Sequence, residues 1–212
     1  MTRGRFIAFE GGEGMGKSTQ ARLLAEWLQR DGVTVELTRE PGGTPGAEAI
    51  RNLLLSPPGE GWTPEAEALL FAAARADHVA RRIRPALDAG SWVVCDRFID
   101  SSRAYQAIAG GLGDDKVSQL HRIGSAGLLP DLTLLIDAPN DAVAARLAKR
   151  DGDTSDAIGG RAADYHAAVN AAFRDFANIE PDRFAVIDGS GSIEEVHQQV
   201  VAAISQRFEV TA

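Results

Sequence analysis

Between Gly11 and Thr19 the chain reads GGEGMGKST, and these are the residues whose types and spacing most directly specify chemistry. Gly11, Gly16, Lys17 and Ser18 fit the pattern GxxxxGK[ST], with Gly12, Glu13, Gly14 and Met15 filling the loop and Thr19 following it. Glycines there let the backbone turn its N–H groups inward around a phosphate. The lysine then brings a compact positive charge to the β and γ oxygens, and the serine hydroxyl can ligate Mg²⁺. A chain with 22 glycines meets this pattern by chance in well under about one sequence in fifty, and fewer still place it after a strand and before a helix. The expected ligands are ATP and Mg²⁺.

A phosphate-binding loop alone does not distinguish kinases from switches, motors or transporters, so the acceptor has to be read from other residues. Two further apolar runs end in arginine-bearing loops, Thr38-Arg39-Glu40-Pro41-Gly42-Gly43-Thr44 and Asp96-Arg97-Phe98. In an open parallel sheet the carboxyl ends of the strands share one edge, which brings Arg39 and Arg97 to the crevice of the phosphate loop. Guanidinium forks match phosphate oxygens, and hydrogen bonds to charged groups are worth about 1.5–3 kcal/mol each. Two such residues make a second anion site facing the first. The plainer alternative pairs Arg39 with Glu40, and Arg97 with Asp96 or Asp100, as solvated loop charges. Asp96 ends its apolar run where a carboxylate can stand close to the metal.

The elements that must position these residues follow from periodicity. Short apolar runs alternate with longer segments of helical period, the signature of βαβ units, and the expected fold is α/β: a P-loop kinase fold with a five-stranded parallel sheet, helices on both faces and a short lid. Strands are expected at Phe6 to Phe9, Val33 to Leu37, Trp92 to Cys95, Leu132 to Ile136 and Phe184 to Ile187. The clearest helices run from Ser18 to Arg30, with Leu23, Leu24, Trp27 and Leu28 on one stripe, and from Ile193 to Phe208, with Val196, Val200 and Ile204 at four-residue spacing. Ser56 to Pro64 is a turn-rich connection, because helical patterns resume on both sides. Residues 150–160, RDGDTSDAIGG, hold almost no core-forming side chain and suit a lid.

Five motifs in this order closely resemble the thymidylate kinase family: FEGGEGMGKST at Phe9 to Thr19, TREPGGT at Thr38 to Thr44, LLFAAARADH at Leu69 to His78, DRFIDSSRAYQ at Asp96 to Gln106 and PDLTLLID at Pro130 to Asp137. The likeness covers almost the whole chain. It implies transfer of the ATP γ-phosphoryl to dTMP by one kinase domain spanning residues 1–212, and a homodimer. It further implies that Arg39 and Arg97 hold the acceptor phosphate, that Phe71 stacks on thymine and that Arg75 donates to a base carbonyl. Helical spacing agrees, since residues four apart share a face and an aromatic beside a donor suits a pyrimidine; burial of Phe71 as plain core is the alternative. By the same resemblance Tyr105 crowds the 2′ position of the sugar, Gln106 lies beside the base with Ser101 and Ser102 nearby, and Glu13 approaches the sugar and the metal. An acid inside an anion-binding loop is otherwise electrostatically odd, unless its side chain simply faces solvent.

Phosphoryl transfer needs positive charge around the migrating group, and a mobile arginine contributes on the order of 10³ to 10⁵ in rate. The family that the chain resembles supplies this charge from the phosphate loop or from the lid; no basic residue lies between Gly11 and Gly16, so the resemblance implies that the lid supplies it. Arg146, Lys149, Arg150 and Arg161 are candidates, with Arg150 and Arg161 favoured because they flank the polar stretch. The lid departs from the family pattern of an Asp-Arg pair closely followed by Glu: it reads Gly160-Arg161-Ala162-Ala163.

Composition narrows the remaining possibilities. At 212 residues, with 44% hydrophobic and 25% charged, the chain suits one folded unit. Its net charge of −8 opposes a nucleic-acid-binding role, which requires a basic face. The lone cysteine, Cys95, sits in an apolar run as core filler, and no membrane span or signal peptide is evident, so the cytoplasm is expected. His78, His121, His166 and His197 lack metal-ligand spacing and read as structural. The acceptor phosphate is already an anion, so no side-chain base is needed. Competing readings are a kinase for another nucleotide or a deoxynucleoside, and a nucleotide-dependent switch or ATPase, against which stands the absence of NKxD and LSGGQ-type motifs.

Overall fold

The computed structural model describes residues 3–139 and 157–208. The five apolar runs form β1 (Phe6–Glu10), β2 (Val35–Arg39), β3 (Trp92–Asp96), β4 (Leu132–Asp137) and β5 (Phe184–Asp188), all parallel, in the order β2-β3-β1-β4-β5. The helices among the described residues are α1 (Lys17–Arg30), α2 (Pro45–Leu55), α3 (Pro64–His78), α4 (Arg84–Asp88), α5 (Ile99–Ser102), α6 (Asp114–Ser125), α7 (Ala163–Ile179) and α8 (Ile193–Phe208). Wide π turns, Val79–Ile83 and Arg103–Ala109, extend α3 into α4 and continue α5.

β1 is buried on both faces, as a central parallel strand must be when helices cover the sheet from either side. Its alternate side chains enter different cores. Ile7 and Phe9 pack with Leu24 and Leu28 of α1 and with Val196, Val200 and Ile204 of α8. Phe6 and Ala8 pack with Val79, Ile83, Leu87 and Val117 on the opposite face. Each large apolar side chain removed from water contributes about 1.5–3 kcal/mol, so the strand carrying the phosphate loop is anchored from both sides.

The helix boundaries have local causes. Thr44 and Thr63 accept the Ala47 and Ala66 amides at 3.2 and 3.3 Å, and Pro45 and Pro64 open α2 and α3 with φ already set. Residues 56–63 are the turn-rich connection expected between these two helices. β2 begins two residues later than its apolar run, because Gly32 takes φ 79° and Val33 donates its amide to Leu28 O at 3.0 Å, still closing α1.

β1 and β3 are neighbours, but the chain leaves β1 towards β2 and leaves β3 towards β4. Their carboxyl ends therefore flank a topological switch point, the usual site of a ligand in such sheets. Phe9 and Arg39 both align with Asp96, which gathers the phosphate loop and both arginine loops at one edge. Of the expected lid, only residues 157–160 are among those described, as a turn leading to α7. No helix among the described residues is long and apolar enough to cross a membrane.

Candidate active site

The phosphate loop joins β1 to α1 through left-handed glycines. Gly16, at φ 88°, directly precedes Lys17, the first residue of α1. Gly11 has φ 136°, and a Cβ there would lie 2.4 Å from Ile136 O, so only glycine fits. The loop thus ends at a helix N-terminus, a ready anion site. Lys17 is almost fully buried, and its Nζ donates to Gly12 O at 2.5 Å. Burial, and next the nearby Arg97 charge, push its pKa down to about 8. An arriving phosphate would oppose both effects.

Ser18 Oγ donates to Asp96 Oδ2, while Asp96 Oδ1 is buried without a hydrogen-bond partner among the described residues. A hydroxyl beside an unsatisfied carboxylate oxygen at the phosphate loop fits Mg²⁺, which takes few protein ligands and completes its shell with water and phosphate. Met15 is only 2% exposed and belongs to the core under the loop.

These residues form one wall of a cleft of about 530 Å³. Glu13, Gly14, Gly16, Lys17, Ser18 and Thr19 line it with Asp96, and Arg39, Arg51, Arg97, Phe71, Tyr105 and Gln106 are among the residues that line the remainder. Arg97 has the left-handed φ of 69°, and its amide donates to Phe9 O at 2.9 Å. Its guanidinium donates to Gly11 O at 3.1 Å, Ser101 Oγ at 3.0 Å, Glu13 Oε1 at 2.6 Å and Tyr105 Oη at 3.3 Å. Burial works against its charge, but Tyr105 and the carboxylates of Glu13, Asp96 and Glu10 outweigh it and hold the pKa above the ordinary arginine value. Arg39 is more exposed and pairs with Glu48 on α2 at 3.2 Å. Neither arginine takes the acidic loop neighbour that the plainer alternative assigned. Glu13 answers its oddity here: in this structure it is the counter-ion of Arg97.

At the floor of the cleft, Glu40 organises a buried network. Its Oε2 accepts Arg75 Nε at 2.7 Å and its Oε1 faces His78 Nδ1 at 3.0 Å, while His78 Nε2 lies 2.7 Å from Thr38 Oγ1. Arg75 also donates to Phe98 O and to Ser102 Oγ, so Arg75 and Ser102 lie under the cleft wall instead of lining it. Arg75 Nη1 donates to no group among the described residues. Phe71, one turn earlier on α3, is half-buried and lines the cleft, not the core.

Two acids carry structural weight that their sequence positions did not announce. Glu10 ends β1 fully buried and accepts the Phe98 amide at 2.8 Å, the Ser101 amide at 3.0 Å and Ser101 Oγ at 2.6 Å, pinning the loop that presents Arg97. Burial, then the charge of Asp100, raises its pKa to about 7. Glu40 was read only as a solvated partner of Arg39. The available signal in both cases was an acid ending or directly following a strand beside a phosphate site.

Arg161 does not line the cleft. It bonds Glu67 on α3 and the Tyr165 hydroxyl on α7, with its guanidinium 4.6 Å from the Tyr165 ring centre. Arg146, Lys149 and Arg150 lie outside the described residues. His121, packed edge-on to Phe98, donates to or accepts from no cleft residue; it contacts Leu128 O at 2.7 Å, and burial lowers its pKa to about 4. Cys95 is fully buried.

Known proteins resemble this chain over nearly its full length. The family model described as thymidylate kinase matches residues 9–200. A thymidylate kinase of Rhizorhabdus wittichii is 55% identical over 202 residues, covering 95% of this chain and 97% of that protein. One from Symbiobacterium thermophilum is 48% identical over 196 residues, covering 92% and 90% respectively. The crystal structure of thymidylate kinase from Ehrlichia chaffeensis superposes with a TM-score of 0.78 at 35% identity, covering 95% of this chain and 99% of that one. A family model that matches residues 9–200, together with relatives 48–55% identical over more than nine-tenths of the chain, makes this a member of the thymidylate kinase family.

Proposed function

We propose that this chain transfers the γ-phosphoryl group of Mg-ATP to dTMP, giving dTDP and ADP for dTTP synthesis. The observation that carries this reading is the placement of Arg97 and Lys17 on one cleft, so that an acceptor phosphate held by the first faces a donor phosphate held by the second. The main-chain amides of the phosphate loop and the N-terminus of α1 would receive the donor's β-phosphate, with Lys17 at the β and γ oxygens. Ser18 and Asp96 would hold Mg²⁺, Asp96 through water; the ion neutralises charge on the transferring group. Arg97 and Arg39 would clamp the acceptor phosphate, whose oxygen is itself the nucleophile.

Phe71, Gln106 and Tyr105 line the acceptor end. Phe71 would stack on the base, Gln106 would meet its edge, and Tyr105, fixed by Arg97, would close the space at the sugar 2′ position. Arg75 would use Nη1 towards a base carbonyl, with Ser102 steadying it from below. Glu13 would stand between Arg97 and the sugar, close enough to the metal to share its water. The lid charge falls to Arg150, with Arg161 as the second candidate. Residues 1–212 would act as a single kinase domain in the cytoplasm. A homodimer is supported by Leu69 and Ile123, large apolar side chains 55% and 84% exposed on α3 and α6, two helices packed together.

A coupled assay of ADP release across thymidine and a panel of nucleoside monophosphates, with and without Mg²⁺, tests the reading. Metal-dependent turnover highest with dTMP is expected. Equal turnover with thymidine, or ATP hydrolysis indifferent to dTMP, would overturn it.

A further inference from the structure

Gln106 lines the cleft but is only 4% exposed, and its amide is not free to choose its orientation. Its Nε2 donates at 2.9 Å to Glu67 Oε1 on α3. A carboxylate only accepts, so it holds the amide NH₂ on its own side and turns the carbonyl oxygen away from itself, as an acceptor that Gln106 can offer a ligand. The other carboxylate oxygen is also committed, because Arg161 donates to Glu67 Oε2. Arg161 is anchored in turn by Tyr165, whose hydroxyl donates to Tyr105 O at 2.7 Å. The chain of contacts thus runs from the end of the lid segment through Arg161 and Glu67 to the amide of Gln106, and closes on the backbone beside it.

The orientation of an amide decides which pyrimidine edge it can read. A 4-oxo pyrimidine presents an N–H at N3, which pairs with a carbonyl oxygen. A 4-amino pyrimidine presents a bare N3 lone pair, which a carbonyl oxygen repels. We propose that Glu67, held by Arg161, is a positioning residue that fixes the Gln106 amide with its carbonyl towards the acceptor base, and so selects 4-oxo against 4-amino pyrimidine monophosphates. This rests on the reading of the cleft as a pyrimidine monophosphate site. It gives Arg161 a specificity role whichever lid residue attends the migrating phosphoryl group.

The test is a set of dissociation constants for dTMP and dCMP, measured by titration calorimetry on the full chain and its variants. Glu67→Gln keeps the shape but offers Gln106 either a donor or an acceptor, freeing the amide to turn. The ratio of the dCMP constant to the dTMP constant is expected to fall tenfold or more in E67Q and in Q106A, with the ATP constant unchanged within twofold. Adding E67Q to Q106A should leave the ratio where Q106A put it. A smaller fall in E67Q, or a further tenfold fall in the double variant, would overturn the proposal, since Glu67 would then not act through Gln106. Should E67Q not fold, Arg161→Met decides on binding alone: a ratio at least threefold lower than wild type supports the proposal, and a smaller change sinks it. Wild-type protein that binds no dTMP would bring down the kinase reading as well, and that measurement comes first.

Discussion

Replacing Arg97 with Lys separates charge from geometry at the centre of the cleft. The guanidinium donates from Nη1 to Gly11 O and Ser101 Oγ and from Nη2 to Glu13 Oε1 and Tyr105 Oη, between 2.6 and 3.3 Å, so a phosphate would take over N–H groups from these partners or use Nε, which a planar fork allows. A lysine has one nitrogen, and Glu13, the nearest partner, will claim it. The acceptor phosphate then loses one to two charge-assisted hydrogen bonds at about 1.5–3 kcal/mol each. Taking about 3 kcal/mol as the centre, kcat/KM for dTMP should fall by about two orders of magnitude, since each 1.4 kcal/mol is tenfold. KM for ATP should stay within about threefold, because the amides of the phosphate loop are untouched. Steady-state kinetics with varied dTMP at saturating Mg-ATP gives both quantities, and a thermal melt on the same sample excludes a folding defect. A fall of less than threefold in kcat/KM for dTMP would refute the assignment of Arg97 to the acceptor phosphate.

Two titrations follow from buried charges. Lys17 has a pKa near 8 in the free protein, and a bound triphosphate raises it, so ATP binding at pH 9 should take up a sizeable fraction of a proton. Calorimetry in buffers of different ionisation enthalpy measures the uptake, and zero uptake would refute the origin assigned to the shift. Glu10, raised from 4.5 to about 7, keeps in the folded state a proton that the unfolded chain has lost. Its contribution to stability therefore declines as pH rises from 4.5 to 7 and is level above that, a total of roughly 3 kcal/mol at 1.36 kcal/mol per pH unit. Urea unfolding at pH 4.5, 6 and 8 should show this decline in the wild type and lose that part of it in E10Q; equal slopes in both proteins would refute it.

The sheet was legible because each strand is a short apolar run with nothing else to become, and α1 and α8 because their stripes recur at helical spacing. The π turns at Val79–Ile83 and Arg103–Ala109 were not, since one extra residue per turn leaves no mark on a hydrophobic pattern. The phosphate loop could be read whole, its glycines, lysine and serine being dictated by local backbone geometry. Arg97 was readable as a cleft residue but not as the partner of Glu13. That pairing joins residues 84 apart and depends on the left-handed turn at Arg97, which its own side chain does not favour. Glu40, Arg75 and His78 come from two separate segments, and only packing shows that the Glu40 and Arg75 charges are compensated underground rather than in solvent. Arg161 could not be placed from sequence, because charge beside a polar stretch is equally consistent with reaching substrate or bracing a wall.

The single thiol in the chain lies in β3, between β1 and β2 and next to Asp96, with no surface open to water. Burial also raises its pKa well above the usual cysteine value, so in the native state it is neither reachable nor a thiolate. Alkylating reagents should therefore capture it only when the sheet opens, making the rate of Cys95 modification an intrinsic clock for unfolding under working conditions. A nucleotide present at a hundred times its Kd should slow that clock about a hundredfold, so the chain reports occupancy of its own cleft without any added label.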